Sequence, residues 1–478
     1  MQSHLQAMAG DLRRAGFDGE LLVATSSGGV MHVDDFVQQP IHAVRSGPAL
    51  APVAARACAA HEADHASDGR ERDLIVCDAG GTSFDVCIVR NGSIAWTREA
   101  WLGERFSGHI TGFAAVDVRS VGAGGGSIAW IDEGGLLCVG PQSAGSSPGP
   151  VCYGRGGTNV TVTDAALALG YIDPAFFLGG RMGLDVQAAA DALDRMAALL
   201  GTERSLLAHA IVLIAAELMV QAILEATIHE GIDPRESRLV AGGGAAGLLI
   251  GAIARELGCP QVLLPRIAPA LSASGGHFSD IVVEVTRSRF AATEQFPYDA
   301  VNETLAAIDA SLERTRDVLR SRGLRQFSTE FSVEARYPAQ VWELELPLAG
   351  RHFGDAGNVD RLVADFHDAH ERVFAVRDPR GGIECLQWRG RLTALLDKPL
   401  PSRAGAAGPS DGAPAASRVA FFADVGAVPT AIHHGPSLSP GARIAGPAIV
   451  EEPNTTVVVP PGTFLQLTPA GNYLLEFA

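Results

Sequence analysis

Lysine is all but missing from this sequence: among 37 basic residues, Lys398 is the only one. A Walker-type phosphate loop and a Schiff-base enzyme each need a lysine at the reacting centre. Lys398 precedes the Pro-rich stretch PLPSRAGAAGPS (399–410) and has no glycine-rich loop beside it, so the sequence argues against both classes. Paired cysteines are missing too. Cys58, Cys77, Cys87, Cys138, Cys152, Cys259 and Cys385 are dispersed, odd in number and without a CxxC spacing. That speaks against a disulfide scaffold or zinc ribbon and for a reducing, cytoplasmic setting. Positive charge is in deficit: 37 basic residues against 54 acidic ones give a net charge of −17. No basic field is available to displace counterions from a nucleic acid. The start, MQSHLQAMAGDLRRAGF, lacks the charged-then-apolar pattern of a signal peptide. The most apolar stretch, 206–226, is interrupted by His209, Glu217 and Gln221. It reads as a buried globular helix, not a membrane span.

What is present is a long, apolar, glycine-rich chain. Its 478 residues exceed one small core and predict two to four domains. A hydrophobic share of 47% excludes a mainly disordered chain. Residues 4–15 read as a helix, and GELLVATS as a strand entering the turn Ser26-Ser27-Gly28-Gly29. Residues 46–63 read as a turn opening a small-residue helix, with Ser46 as its N-cap, and DHASDGRERD (64–73) as a surface loop. DLIVCDAGG (73–81) is a buried strand ending in glycines. TSFDVCIVRNG (82–92) is a second strand ending in Asn91-Gly92, the preferred type I′ hairpin pair, and SIAWTREAWL a third. Residues 120–160 are dense in turn residues yet too apolar for disorder, which marks a functional glycine-rich region. Helices follow at about 163–170, 185–201 and 205–231. Then SRLVAGGGAAGLLIGAIARELGC and QVLLP read as strand, glycine turn, helix and strand, an α/β pattern. Composition shifts near residue 285. Residues 286–397 pattern as an α+β domain, 398–418 as a flexible linker and 419–478 as a small β module.

Two loops carry candidate chemistry. The first is Asp78-Ala79-Gly80-Gly81-Thr82-Ser83-Phe84-Asp85. A phosphate needs several converging backbone N–H donors, and glycines let the chain come that close. The Thr82 and Ser83 hydroxyls can donate to phosphate oxygens, and Asp78 at the strand end can hold Mg²⁺ through water. The plainer alternative is a hairpin whose aspartate satisfies turn amides. The second loop, Ala241-Gly242-Gly243-Gly244-Ala245-Ala246-Gly247, follows a strand and opens a helix. It can bear a nucleoside beside a helix N-terminus; its plainer reading is close strand–helix packing. A strand–DxGGTxxD–strand hairpin, a long insertion and a strand–GGG–helix follow the order of the actin, sugar-kinase and chaperone ATPase superfamily.

More of the chain then resembles one family. SGPA (46–49), DAGGTSFD, SVGAGGGSIAWID, LCVGPQSAGSSPGPVCYGRGGTNVTVTDAALALGYI and HEGIDPRESRLVAGGGAAG look like the hydantoinase A / 5-oxoprolinase family, as do RYPAQVWELELPL and GPAIVEEPNTTVVVPPG. The resemblance implies a fold of class α/β: an actin/sugar-kinase/chaperone-ATPase-like (ribonuclease H-like) domain over 1–285, incomplete at its N-terminus, with the C-terminal α+β and small β domains beyond it. It implies ATP and Mg²⁺ as cofactors. Asp78, Gly80, Gly81, Thr82, Ser83 and Asp85 would form the second phosphate loop, with Asp78, Thr82 and Asp85 catalytic and Asp78 the Mg²⁺ residue. Gly242, Gly243 and Gly244 would flank the adenosine. Gly124 and Gly125, within 122–127, would lie near the nucleotide, and 140–157 near it or the domain cleft.

Family members begin with another acidic Gly-Gly-Thr loop. Nothing before Asp78 resembles it, and Ser26-Ser27-Gly28-Gly29 lacks the carboxylate. The expected supplier is a separate polypeptide or an upstream coding segment; otherwise ATPase activity is lost. The implied function is that of a subunit in an ATP-dependent cyclic-amide hydrolase, working with a hydantoinase B-like subunit and phosphorylating a carbonyl oxygen before ring opening. One alternative is an ATP-dependent ketone carboxylase subunit of the acetone or acetophenone type. Another is a non-catalytic structural or regulatory subunit. The partners expected are thus these polypeptides and a small cyclic amide or ketone, without nucleic acid or membrane.

Weaker candidates remain. His367, His370 and Glu371 form HxxHE at helical spacing, more readily a solvated or interface face than a metal site. Asp117, Asp132 and Asp164 border the glycine-rich region, and Asp164 suits a helix cap better than Mg²⁺. In HEGIDP, His229, Glu230 and Asp233 form a helix end with Gly231 as C-cap. Arg45 can meet an anion or a surface carboxylate. Cys77 and Cys152 lack an adjacent base and read as packing residues.

Overall fold

The computed structural model describes residues 2–63, 72–97, 99–103, 107–398 and 413–477. Most of the expected linker and of the loop 64–73 therefore lies outside the described residues. The chain forms two compact units. One takes Met1–Thr25, Gly29–Ala43 and Ser279–Lys398; the other takes Ser26–Gly28, Val44–Phe278 and Pro399–Ala478. These divisions differ from the sequence-based boundaries at 285, 397 and 418. Short segments near the N-terminus pair with strands beyond residue 280, and the C-terminal strands enter the sheet of the glycine loops.

The first unit is built on a six-stranded sheet in the order Leu22–Ala24, Val30–His32, Ile281–Ala292, Glu384–Ala394, Phe327–Arg336 and Leu344–Pro347. The helix Tyr298–Ser321 lays Val301, Leu305, Ile308 and Leu312 on this sheet, all fully buried. Their three-and-four spacing is one helical face. The buried Arg389 meets three carboxylates, those of Glu284, Glu334 and Glu345. The HxxHE pair lies here, and the solvated-face expectation fails. His367 and His370 are 4% and 2% exposed. His367 Nδ1 pairs with the Tyr337 hydroxyl at 2.6 Å, and His370 Nδ1 donates to the Val376 carbonyl at 2.7 Å. Phe366, packed between helix and sheet, draws this end of the helix into the core.

The second unit holds the longer sheet. Its order is Arg119–Val121, Phe84–Arg90, Leu74–Ala79, Arg238–Gly242, Gln261–Leu264, Tyr473–Phe477, Thr463–Leu467 and Arg443–Ala445. Arg238–Gly242 runs parallel to both neighbours, and the remaining pairs in this order are antiparallel. Asn91 and Gly92 turn the hairpin with φ of 49° and 72°, the two positive values a type I′ turn needs. The third strand is fragmentary, Ser93–Ile94, Trp96–Thr97 and Trp101–Leu102. Ser46 does not cap; a 3₁₀ turn, Pro48–Leu50, precedes the helix Ala51–Ala63, and Gly47 stands at its start. The helix Arg204–Glu230 meets its apolar length by packing against the helices Val162–Ala168, Val186–Leu200 and Ala246–Leu257. Gly231 ends it in the left-handed conformation. Residues 416–459 add a four-stranded sheet, Ala416–Phe422, Gly426–His434, Ala448–Glu452 and Thr455–Val459, against the helix Ala246–Leu257.

Asp164 organises the glycine-rich region. It is fully buried and forms a capping box with Thr161 at the head of Val162–Ala168. Its carboxylate accepts from the N–H groups of Cys152, Val151 and Thr161 at 2.7, 3.2 and 2.9 Å, and from the Thr161 hydroxyl at 2.8 Å. One side chain thus fixes a helix start and a turn 12 residues earlier. The capping reading of Asp164 holds. Replacing it with Asn puts an N–H₂ group among donors and should lower the unfolding free energy by about 2–4 kcal/mol in urea titration; an unchanged midpoint would contradict this account.

Burial also sets the thiols. It pushes Cys58, Cys259 and Cys385 up to about 12 and Cys77 and Cys87 well above their ordinary range. Cys138 alone among the cysteines is only half-buried. A maleimide at neutral pH should label Cys138 in the native protein and the other cysteines only after denaturation, as peptide mass mapping would show.

Candidate functional site

At the end of the strand Leu74–Ala79, three successive carbonyls receive amides from two distant loops. Ala245 N–H donates to Ala79 O at 3.1 Å, Gly125 N–H to Gly80 O at 3.1 Å, and Gly126 N–H to Gly81 O at 2.6 Å. The glycines permit this. A Cβ at Gly124 would lie 2.7 Å from Gly80 O, and one at Gly243, where φ is +89°, 2.2 Å from Ala79 O. Any larger residue would push the loops apart. Gly243 N–H is in turn held by Ala268 O at 2.6 Å.

This stitching leaves donors over. The N–H groups of Gly81, Thr82 and Gly244 have no acceptor among the described residues. All three residues line one cleft of about 450 Å³. Unpaired amides gathered at a concave surface form an anion-binding nest. The helix Ala246–Leu257 starts at the same place without a side-chain cap, so its dipole adds to the positive potential. Thr163 lines the cleft and donates its hydroxyl to Gly125 O at 2.7 Å. Gly145 and Ser146 belong to the same lining. Apolar groups form another part of the lining: Tyr153, Ile172, Phe176, Phe177 and Leu248. The segment Glu451–Thr456 completes it, with the Thr455 hydroxyl donating to Gly244 O at 3.1 Å. The volume, the amides and the apolar part together fit a nucleoside triphosphate.

Asp78 and Asp85 pair directly across the hairpin. Asp78 Oδ2 accepts from the Ser272 hydroxyl at 2.7 Å, and Ser120 donates to Asp85. Burial pushes both carboxyls up, against the opposing pull of these hydrogen bonds. Neither lines the cleft. A carboxylate set behind the Gly80–Thr82 turn suits Mg²⁺ only through retained waters, because Mg²⁺ takes its other ligands from water and phosphate.

Of the residues expected from sequence, Gly81, Thr82, Gly125 and Gly244 line the cleft. Asp78, Gly80, Ser83, Asp85, Gly124, Gly242 and Gly243 do not. Gly80, Gly124 and Gly243 instead shape the loop contacts. Sequence reasoning missed the wall formed by 172–178 and 451–456. GPAIVEEPNTTVVVPPG was legible as a family-like motif, yet nothing in it signalled contact with a glycine turn some 200 residues earlier.

The weaker candidates resolve as follows. Arg45 donates to Val118 O at 3.2 Å, and its charge draws Asp85 down. Asp132 closes a local turn by accepting from Gly134 and Leu136 N–H. Asp117, His229 and Glu230 bring their ligand atoms within 4.8 Å of one another, and the hydrogen bond to Glu230 raises His229. Cys77 lies within the core and Cys152 beneath the cleft wall, both with raised pKa from burial.

Comparison with known proteins agrees with these motifs. The family model described as Hydantoinase/oxoprolinase matches residues 1–285, and that of the Hydantoinase/oxoprolinase C-terminal domain matches 302–469. Caprolactamase subunit alpha of Pseudomonas jessenii is 34% identical over 458 residues, covering 94% of this chain and 64% of that protein. The acetophenone carboxylase gamma subunit of Aromatoleum aromaticum is 32% identical over 491 residues, covering 100% and 65%. The crystal structure of ATP-dependent caprolactamase from Pseudomonas jessenii matches with a TM-score of 0.82 at 31% identity, covering 99% of this chain and 68% of that one. The chain thus spans just under two thirds of the length of these curated relatives. It belongs to the hydantoinase/oxoprolinase family.

Proposed function

We propose that this chain is a subunit of an ATP-dependent hydrolase acting on a cyclic amide. The observation that carries the reading is the set of Gly81, Thr82 and Gly244 amides, unpaired among the described residues, in a cleft of nucleotide size. The name of the caprolactamase relative, a lactam hydrolase by that name, supports the amide substrate. ATP would transfer its γ-phosphoryl group to the amide oxygen with release of ADP, which makes the carbonyl carbon electrophilic. Water would add there, and the ring C–N bond would break as the nitrogen takes a proton. Hydrolysis of the resulting acyl phosphate would give the carboxylate and phosphate. The amides of Gly81, Thr82 and Gly244 hold phosphate oxygens, and the Thr82 hydroxyl adds a donor in the same cleft. Asp78, oriented by Ser272, would hold Mg²⁺ through its waters, where the ion would offset charge on the phosphates, and Asp85 lies opposite it across the hairpin. Catalysis is then mainly positioning and electrostatic stabilisation. The reading includes a partner subunit, since the relatives are themselves named as subunits.

A ketone carboxylase subunit is the second reading, favoured by the acetophenone carboxylase match along the whole chain. The loops serve either reaction, because both begin with the same phosphoryl handling.

Isothermal titration of the full chain with Mg-ATP, alone and with its partner subunit, should give saturable binding. No heat in either case would favour a non-catalytic subunit. In the assembled complex, Asp78→Asn should lower ATP turnover about 10- to 100-fold, the usual cost of losing a residue that acts on a metal through water; unaltered turnover would remove Asp78 from the site. Lactam-, hydantoin- or oxoproline-dependent ATP hydrolysis would support the hydrolase, and hydrolysis dependent on bicarbonate and a ketone the carboxylase.

A further inference from the structure

The aromatic part of the cleft has a construction of its own. Tyr153 and Phe177 pack with ring centroids 5.8 Å apart, Phe176 and His434 form a T-shaped pair at 5.4 Å, and the Arg155 guanidinium lies 5.9 Å from the Tyr153 ring centre. Tyr153, Phe176 and Phe177 remain only half-buried and line the cleft, so each keeps aromatic surface open to a ligand. The chain beyond them is strained. Leu178 holds a φ of 54°, rare for a residue with a branched side chain, and Gly179 and Gly180 follow at 67° and 80°. A Cβ at Gly179 would meet Pro453 at 3.3 Å, so this segment lies on the 453–454 turn. Arg181 ties the two together. Its Nε donates to Leu178 O at 2.8 Å and its Nη2 to Asn454 Oδ1 at 2.8 Å. A guanidinium only donates, which commits the Asn454 oxygen to Arg181 and leaves the amide nitrogen as a donor facing no acceptor among the described residues. Asn454 also adjoins the nest: its carbonyl would lie 3.4 Å from a Cβ on Gly244.

We propose that Tyr153, Phe176 and Phe177 form a nucleobase subsite, with Arg181 as the positioning residue that fixes Leu178 and Asn454 around it. The inference deepens the nucleotide reading above and rests on it. Flat π faces recognise a base by stacking, while the amides of Gly81, Thr82 and Gly244 recognise the anionic phosphates. Asn454 Nδ2 offers a donor to a ring-nitrogen acceptor on the base edge. The two parts of one cleft therefore match the two chemically unlike ends of a purine nucleotide.

Calorimetric titration of the full chain with Mg-ATP and with Mg-tripolyphosphate separates the parts. Phe177→Ala and Phe176→Ala should each weaken Mg-ATP about tenfold or more, the usual effect of losing a stacking ring, and leave Mg-tripolyphosphate unchanged. Arg181→Ala should shift the same ratio in the same direction, which a general loss of fold would not do. Phe177→Tyr, which keeps the ring, should restore Mg-ATP binding. If the variants weaken both ligands equally, or neither, the subsite is overturned while the nucleotide site stands. If the unaltered chain binds neither ligand, with or without its partner subunit, both readings fall.

Discussion

The arrangement depends on three carbonyls, those of Ala79, Gly80 and Gly81, each of which accepts an amide from a loop remote in sequence. A strand end normally spends such groups on water or on a neighbouring strand. Here they join the 124–126 loop and the 243–245 turn to the hairpin, and the price in backbone freedom falls on glycine. At Gly243 and Gly124 a single methyl group would sit inside the contact distance of a carbonyl oxygen. Once the three loops meet in this way, the amides of Gly81, Thr82 and Gly244 are left without partners among the described residues, beside the cleft. The contacts that build the site and the donors that give it chemistry therefore have one origin.

Other groups hold the walls. Asp164 fixes the turn before Tyr153 and the helix behind Thr163 through the same carboxylate. Arg418 works similarly from the C-terminal strands. Its guanidinium donates to Gly170 and Tyr171 carbonyls at 2.6 and 2.8 Å and pairs with Glu451 at 2.6 Å. It thereby joins the segment leading to the aromatic residues with the segment leading to Asn454. A buried carboxylate is costly unless its lone pairs are met. Four donors meet the fully buried Asp164, while Arg418, which is only part-buried, finds three acceptors. Both groups lie beside the cleft lining rather than across it.

Much of the second unit was legible because its signals are local. Asn91-Gly92, Gly231, the capping role of Asp164, and the helices near 163, 186 and 205 each follow from residues within a few positions of one another, although the N-cap itself is Thr161. The two glycine loops were legible for the same reason, since a strand, a glycine run and a helix lie consecutively. The third strand broke down because SIAWTREAWL has strand-forming residues but pairs only in two-residue pieces. His367 and His370 looked like a polar face by spacing. Their burial was decided by Tyr337, Gln340 and Val376, partners that helical periodicity does not reveal.

The sequence by itself determined most helices and tight turns of the second unit and the positions of the two glycine loops, because these rest on dihedral preferences and hydrogen bonds between near neighbours. Only the tertiary structure decided which loops touch, which amides are left unpaired, and that the 451–456 segment walls the cleft. Those outcomes depend on sheet order, which brings Tyr473–Phe477 beside Gln261–Leu264 across about 210 residues of chain. Pairings of that range are selected by the packing of whole faces, and no short pattern encodes them.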